Sequence, residues 1–234
     1  MKCKVDKSIL TGTISCPPNK SYSHRAIFLA ALSDGKSTLR NVLLSRDTLA
    51  TVNACKAFGA KIEINDSTVV VESNGKITPQ DLEIDASNSG TTIRISTAIA
   101  SLSDKMITLT GDASLKKRPM QPLLDALKQL GVQCTSTDGK PPVTVKGRAD
   151  GGITRISGSI SSQFISALLI SGPKMKNGIT LEIDGDLVSK PYLDSTIATM
   201  KKFGVTVNAI SPYKKYNVSN QEYKATEIDR KRVM

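Results

Sequence analysis

Phe58-Gly59-Ala60-Lys61-Ile62-Glu63-Ile64 is the stretch that decides the fold. Before it, Leu49, Val52, Cys55 and Phe58 are spaced as one buried face of a helix opening at Arg46-Asp47. Gly59 suits the left-handed residue that ends a helix, because it has no Cβ to clash there. Lys61-Ile62-Glu63-Ile64 then pairs with Thr68 to Glu72 as a hairpin around Asn65-Asp66-Ser67. The junction returns as Leu130-Gly131-Val132, after Leu123, Leu127 and Leu130 on one helix face. It returns again as Phe203-Gly204-Val205, after Leu193, Ile197, Met200 and Phe203. Extended segments follow each: Val132 to Thr135 with Pro142 to Val145, and Thr206 to Ala209. The glycines recur about every seventy residues, a longer period than a solenoid repeat.

Each unit reads strand–helix–strand–helix–strand–strand. Met1 to Thr13 is extended, the first helix runs to about Leu32, Ser33-Asp34-Gly35 is a turn, and Ser37 to Val42 is a strand. The first helix of each unit is apolar: Ala26 to Leu32, Ile93 to Leu102, and Phe164 to Ile170. A helix apolar on most sides is buried. The expected fold class is therefore α/β, with three apolar helices gathered inside and the sheets outside.

Polar residues open each of these helices. Pro17-Pro18-Asn19-Lys20-Ser21-Tyr22-Ser23-His24-Arg25 leads into the first, Ser87-Asn88-Ser89-Gly90-Thr91-Thr92 with Arg94 into the second, and Ser159, Ser161, Ser162 and Gln163 into the third. A helix start aims free N–H groups and the positive end of its dipole at one place, which suits phosphate or carboxylate. Taken singly, the same serines and threonines also fit ordinary caps with solvated charges. Lys116-Lys117-Arg118-Pro119 and Leu187-Val188-Ser189-Lys190-Pro191-Tyr192 precede the second helices of their units. Arg118 offers a planar fork for an oxyanion. Lys116 and Lys117 read as solvated charge.

The 234 residues suffice for a substantial core, and with 4% aromatic content and no Trp that core is aliphatic. A formal net charge of +11 favours an anionic partner. The cysteines, Cys3, Cys16, Cys55 and Cys134, are scattered, and His24 is the one histidine, so a zinc site is not expected. Scattered thiols without an apolar signal segment point to a reducing cytoplasm. No apolar run approaches membrane-spanning length. The basic surface lacks the interleaved aromatics and motifs of nucleic-acid binders. There is no G-x-x-x-x-G-K-[ST] loop, no G-x-G-x-x-G fingerprint, and no G-x-S-x-G elbow to give His24 a triad partner. His24 is expected on a helix surface.

Asn19 to Arg25, Asn88 to Arg94, Lys117-Arg118-Pro119-Met120, Gly158 to Phe164, and Gly185 to Tyr192 resemble, in order, the motifs of the 5-enolpyruvylshikimate-3-phosphate synthase family. The resemblance runs from the start to about Thr226. It implies an inside-out α/β barrel domain of three βαβαββ units, about 13–75, 80–147 and 151–220, within a domain spanning 13–226. By resemblance, Lys20, Ser21, Arg25, Ser161, Ser162, Gln163, Ser189 and Tyr192 bind shikimate-3-phosphate. Lys20, Gly90, Arg118 and Gln163 contact phosphoenolpyruvate, and Lys20 and Arg118 stabilise charge during the reaction. Asn88, Thr91 and Arg94 share the second motif, where Arg94 is a candidate structural residue. The implied chemistry is enolpyruvyl transfer by addition and elimination, with no metal or organic cofactor. Its implied partners are these two small molecules and a second domain, with no nucleic acid and no membrane. The related UDP-N-acetylglucosamine enolpyruvyl transferases fit the motifs less well, and an autonomous phosphate-ligand binding domain is the alternative without turnover.

The departures concern length. Family members are about twice as long and place their site between two similar domains; the second supplies an Asp, a Lys-Glu pair and further cations that have no counterpart in this sequence. Residues 1–12 are expected to be an extended segment that packs with that second domain in the family. Residues 227–234 are expected to be a tail unrelated to the family. The chain is expected to be the shikimate-3-phosphate-binding half, inactive alone.

Overall fold

The computed structural model describes residues 3–4, 6–9, 11–12 and 17–229. Three units follow one another. The first comprises α1 (Lys20–Ala31), β1 (Ser33–Arg40), α2 (Arg46–Ala57), β2 (Lys61–Asn65) and β3 (Thr68–Asn74). The second comprises β4 (Glu83–Asp85), α3 (Gly90–Ala100), β5 (Ile107–Thr110), α4 (Gln121–Gln129), β6 (Gln133–Thr137) and β7 (Lys140–Lys146). The third comprises β8 (Gly152–Ser157), α5 (Ser162–Ser171), β9 (Ile179–Asp184), α6 (Lys190–Lys202), β10 (Asn208–Ser211) and β11 (Lys215–Val218). Two short strands close the chain, β12 (Tyr223–Lys224) and β13 (Glu227–Asp229).

Each unit builds its own sheet. β4 lies parallel to β5, and β8 parallel to β9, while the hairpins β6–β7 and β10–β11 extend those sheets antiparallel. In the first unit no strand precedes α1 among the described residues. The parallel place beside β1 is taken instead by β12 and β13, with Thr38, Leu39 and Arg40 opposite Glu227, Ile228 and Asp229. The boundary expected at Glu227 thus falls within this sheet; residues 230–234 lie outside the described residues.

The apolar helices are buried as expected. Ile27, Phe28 and Leu29 of α1, Ile95 and Ile99 of α3, and Phe164 and Leu168 of α5 are shielded from solvent and belong to one continuous core. Each such side chain contributes about 1.5–3 kcal/mol through removal from water. Caps set where these helices begin: Asn19 accepts from the Tyr22 N–H, Ser89 from the Thr92 N–H, and Ser161 from the Gln163 N–H. Gly59, Gly131 and Gly204 take positive φ angles of 105°, 89° and 83° after α2, α4 and α6. No helix among the described residues is long and apolar enough to cross a membrane.

Three local expectations are corrected. Ser33-Asp34-Gly35 is not a turn but the start of β1, because Asp34 and Gly35 find ladder partners in Asn74 and Ser73. Leu49 is 42% exposed, since α2 turns Thr48, Thr51, Val52 and Cys55 inward instead. Thr206 and Val207 precede the strand, which begins at Asn208.

Candidate functional site

A cavity of about 440 Å³ opens where α1, α3 and α5 begin. α1 contributes Lys20, Ser21 and Arg25; α3 contributes Gly90 and Thr91, with Asn88 just before it; Ser161, Ser162 and Gln163 come from the start of α5. Ser189 and Tyr192 enter from the start of α6, Arg118 from the segment before α4, and Asp47 from the first turn of α2. Every residue given a ligand contact by resemblance therefore lines this one cavity. Lys116, Lys117, Ser159 and Arg94 do not line it. Three helix N-termini add their positive ends to Lys20, Arg25 and Arg118, so the arrangement attracts anions.

The cations are held differently. Lys20 Nζ lies 2.6 Å from Asp47 Oδ2, an ion pair with both partners partly exposed. Arg25 is buried and has no carboxylate partner among the described residues. Its Nε donates to Thr196 Oγ1 at 2.6 Å, Nη1 to the Ser21 carbonyl at 2.8 Å, and Nη2 to Ser166 Oγ and the Tyr192 carbonyl at 3.2 Å each. Burial lowers its pKa to about 10. Arg118 is held more loosely: Nη2 reaches Asn88 Oδ1 at 3.4 Å. Asn88 in turn donates to Asp112 Oδ2 at 2.7 Å, and that bond heads the causes holding the Asp112 carboxyl below its usual range. Gly90 makes room for Arg118, since a Cβ there would meet Arg118 Nη1 at 2.7 Å.

Ser189 caps α6 in the left-handed region, at φ 58° and ψ 44°, with no side-chain capping bond. Such a conformation costs a non-glycine residue about 1–2 kcal/mol. The prolines that favour helix starts are Pro122 and Pro191, each within the first turn of its helix; Pro119 lies before the Met120 cap of α4.

His24 is not a surface residue. It is 1% exposed, because α1 is enclosed on nearly every side. Its Nδ1 meets Thr51 Oγ1 at 2.6 Å, Thr51 meets Thr92 at 2.7 Å, and Thr92 Oγ1 donates to Ser89 Oγ at 2.7 Å. This chain of hydroxyls ties α1, α2 and α3 together beneath the cavity. Burial chiefly lowers the His24 pKa from 6.5 to about 4; Lys20 and Arg25 add to the effect and Asp47 opposes it.

Asp47 is the lining residue that sequence reasoning missed. Read along the chain it is a helix-opening acid, and nothing local links it to Lys20, 27 positions away. Ile160 and Val188 form an apolar rim beside Tyr192. Among the described residues, no group of three His, Cys, Asp or Glu is placed to hold a metal ion.

A family profile described as EPSP synthase (3-phosphoshikimate 1-carboxyvinyltransferase) matches residues 5–229. A 3-phosphoshikimate 1-carboxyvinyltransferase of Nitrosopumilus maritimus is 61% identical over 225 residues, covering 96% of this chain and 53% of the relative. One from Methanothermobacter thermautotrophicus is 46% identical over 211 residues, covering 89% and 50%. Among solved structures, EPSP synthase from Acinetobacter baumannii superposes with a TM-score of 0.80 at 28% identity, over 93% of this chain and 49% of that one. The enolpyruvyl transferase NikO from Streptomyces tendae shares the fold, with a TM-score of 0.64 at 16% identity, over 91% of this chain and 50% of its own. The chain spans about half the length of the curated relatives it matches.

Proposed function

This chain belongs to the EPSP synthase family, and from that premise we propose that its cavity is the shikimate-3-phosphate-binding half of an enolpyruvyl transferase site. The observation that carries the reading is the convergence of Lys20, Arg25 and Arg118 with three helix N-termini on one cavity that, among the described residues, holds a single carboxylate. Ser21, Arg25, Ser161, Ser162, Gln163 and Ser189 hold the sugar-like acid and its phosphate. Tyr192 flanks the ring. Lys20, Gly90, Arg118 and Gln163 face phosphoenolpyruvate.

In the proposed reaction the 5-hydroxyl oxygen of shikimate-3-phosphate bonds to C2 of phosphoenolpyruvate as the methylene carbon takes up a proton. The hydroxyl proton is lost. Elimination then breaks the bond from C2 to the phosphate oxygen, returns a proton from the methyl group and regenerates the double bond. Lys20 and Arg118 stabilise charge on the carboxylate and the departing phosphate. Proton transfer needs groups free to exchange protons. Asp47, the one carboxylate lining the cavity among the described residues, is engaged by Lys20, so this chain alone binds ligand and does not turn it over. The remaining acid–base groups come from residues outside this chain.

Calorimetric titration with shikimate-3-phosphate tests the binding. Arg118→Ala should weaken phosphoenolpyruvate more than shikimate-3-phosphate, by about 1.5–3 kcal/mol, the worth of a charge-assisted bond. A wild-type chain that binds neither molecule overturns the proposal. Phosphate release by the purified chain alone would refute the claim that it lacks turnover; release only after adding a separately expressed second domain would support it.

A further inference from the structure

We propose that Arg94 is a positioning residue for the anion site: it holds the Gln163 side chain so that the amide shows the cavity an N–H donor and withholds its carbonyl oxygen. The inference rests on the anion-binding reading of the cavity given above. Arg94 Nη1 donates to Gln163 Oε1 at 2.5 Å. A guanidinium has donors and no acceptor, so only the oxygen end of an amide can face it. The Nε2 end is thereby turned the other way, where it donates one hydrogen to Thr91 Oγ1 at 3.2 Å. Both Thr91 and Gln163 line the cavity, and Nε2 keeps its second hydrogen for a ligand. The Gln163 backbone is pinned as well, its N–H donating to Ser161 Oγ at 3.2 Å.

Arg94 is itself packed against the core. Its guanidinium stacks over the buried Phe164 ring at 4.8 Å, and its Nε is buried without a hydrogen-bond partner among the described residues. Burying a cation with no carboxylate beside it is costly, and Arg118 nearby adds repulsion. An apolar side chain would pack the same space against Phe164 without that cost. What Arg94 adds is orientation. With the amide reversed, the NH2 group would confront the guanidinium, donor against donor, and the carbonyl oxygen would face an anionic ligand.

The test uses the 15N-labelled chain with inorganic phosphate as the probe. The Gln163 side-chain amide signal is identified by its loss in Gln163→Ala. In wild type it should be a distinct pair with slow hydrogen exchange; in Arg94→Met it should move toward the position of exposed glutamines. Arg94→Met and Gln163→Ala should each weaken phosphate by about tenfold, and the double variant by no more than either. Gln163→Glu pairs its carboxylate with Arg94, so it should melt at or above the wild-type temperature yet lose phosphate binding, a result that needs no Arg94 variant to fold. Arg94→Met that weakens phosphate equally with and without Gln163, or leaves the amide signal in place, overturns the assignment. So does Gln163→Glu that binds phosphate as well as wild type. A wild-type chain that binds no phosphate overturns the anion-site reading, and the amide signal then decides on Arg94 by itself.

Discussion

At the N-terminal ends of α1, α3 and α5, Lys20, Arg25 and Arg118 gather against one carboxylate, Asp47. Past the C-terminal ends of α3 and α5 lies a second cavity, of about 610 Å³, where Lys76, Arg148, Lys174 and Lys176 meet Asp104, Asp150 and Glu222. Counting lysines and arginines alone would favour the second as the anion site. The helices decide otherwise. Their dipoles point positive ends into the first cavity and carbonyl ends toward the second, so cations reinforce the field at one end and offset it at the other. Lys174 illustrates the second case: its side chain is 11% exposed and pairs with Glu222. Arg25 illustrates the first: a buried cation held by hydroxyls and carbonyls, with its charge left for the cavity.

Adding charge to the crowded end should have the largest effect. The folded pKa of His24 lies below its ordinary value, so the unfolded chain binds a proton more readily. Its contribution is therefore fully present above pH 6.5 and lost as pH falls toward 4. The loss amounts to about 3 kcal/mol. Denaturant midpoints at pH 7 and pH 4 should separate widely in wild type and less in His24→Gln; equal separation would contradict the account.

Removing charge from the same end should have opposite consequences for binding and stability. In Arg25→Met the hydroxyls left behind still satisfy one another, since Ser166 and Thr196 lie 2.8 Å apart and Thr196 donates to the Tyr192 carbonyl at 2.8 Å. Stability should stay within about 1 kcal/mol while shikimate-3-phosphate affinity falls by about 1.5–3 kcal/mol. Unchanged affinity in a folded variant would sever Arg25 from the anion site.

The smallest effect belongs to the other end. Arg148→Ala with Lys176→Ala removes two exposed cations among carbonyl ends and acids. Shikimate-3-phosphate affinity should hold within about 0.5 kcal/mol. A loss comparable to that of Arg25→Met would mean that net charge, and not the helix ends, governs binding.

Much of this was legible along the chain because its causes are local. Glycines at 59, 131 and 204 marked helix ends, and the apolar runs marked the buried helices, since conformation and burial there depend on neighbours three or four residues away. The cavity residues were legible through motifs whose order is retained. The misreadings share a different cause. Leu49 fits the helical period, yet α2 turns Thr51 inward, where it meets His24 and Thr92, and leaves Leu49 outside. Ser33-Asp34-Gly35 has turn composition, yet it pairs with β3 and β12.

The amino-acid sequence by itself determined the three-unit organisation, the family and the residues that open each central helix. These follow from periodicity, capping chemistry and ordered motifs, all of which act over short stretches. Only the tertiary structure decided that Asp47 meets Lys20, that Arg25 is enclosed by Ser166 and Thr196, and that Arg94 turns the Gln163 amide. Those contacts join residues 27 to 171 positions apart, and no local preference encodes a distance that exists only once the helices have packed.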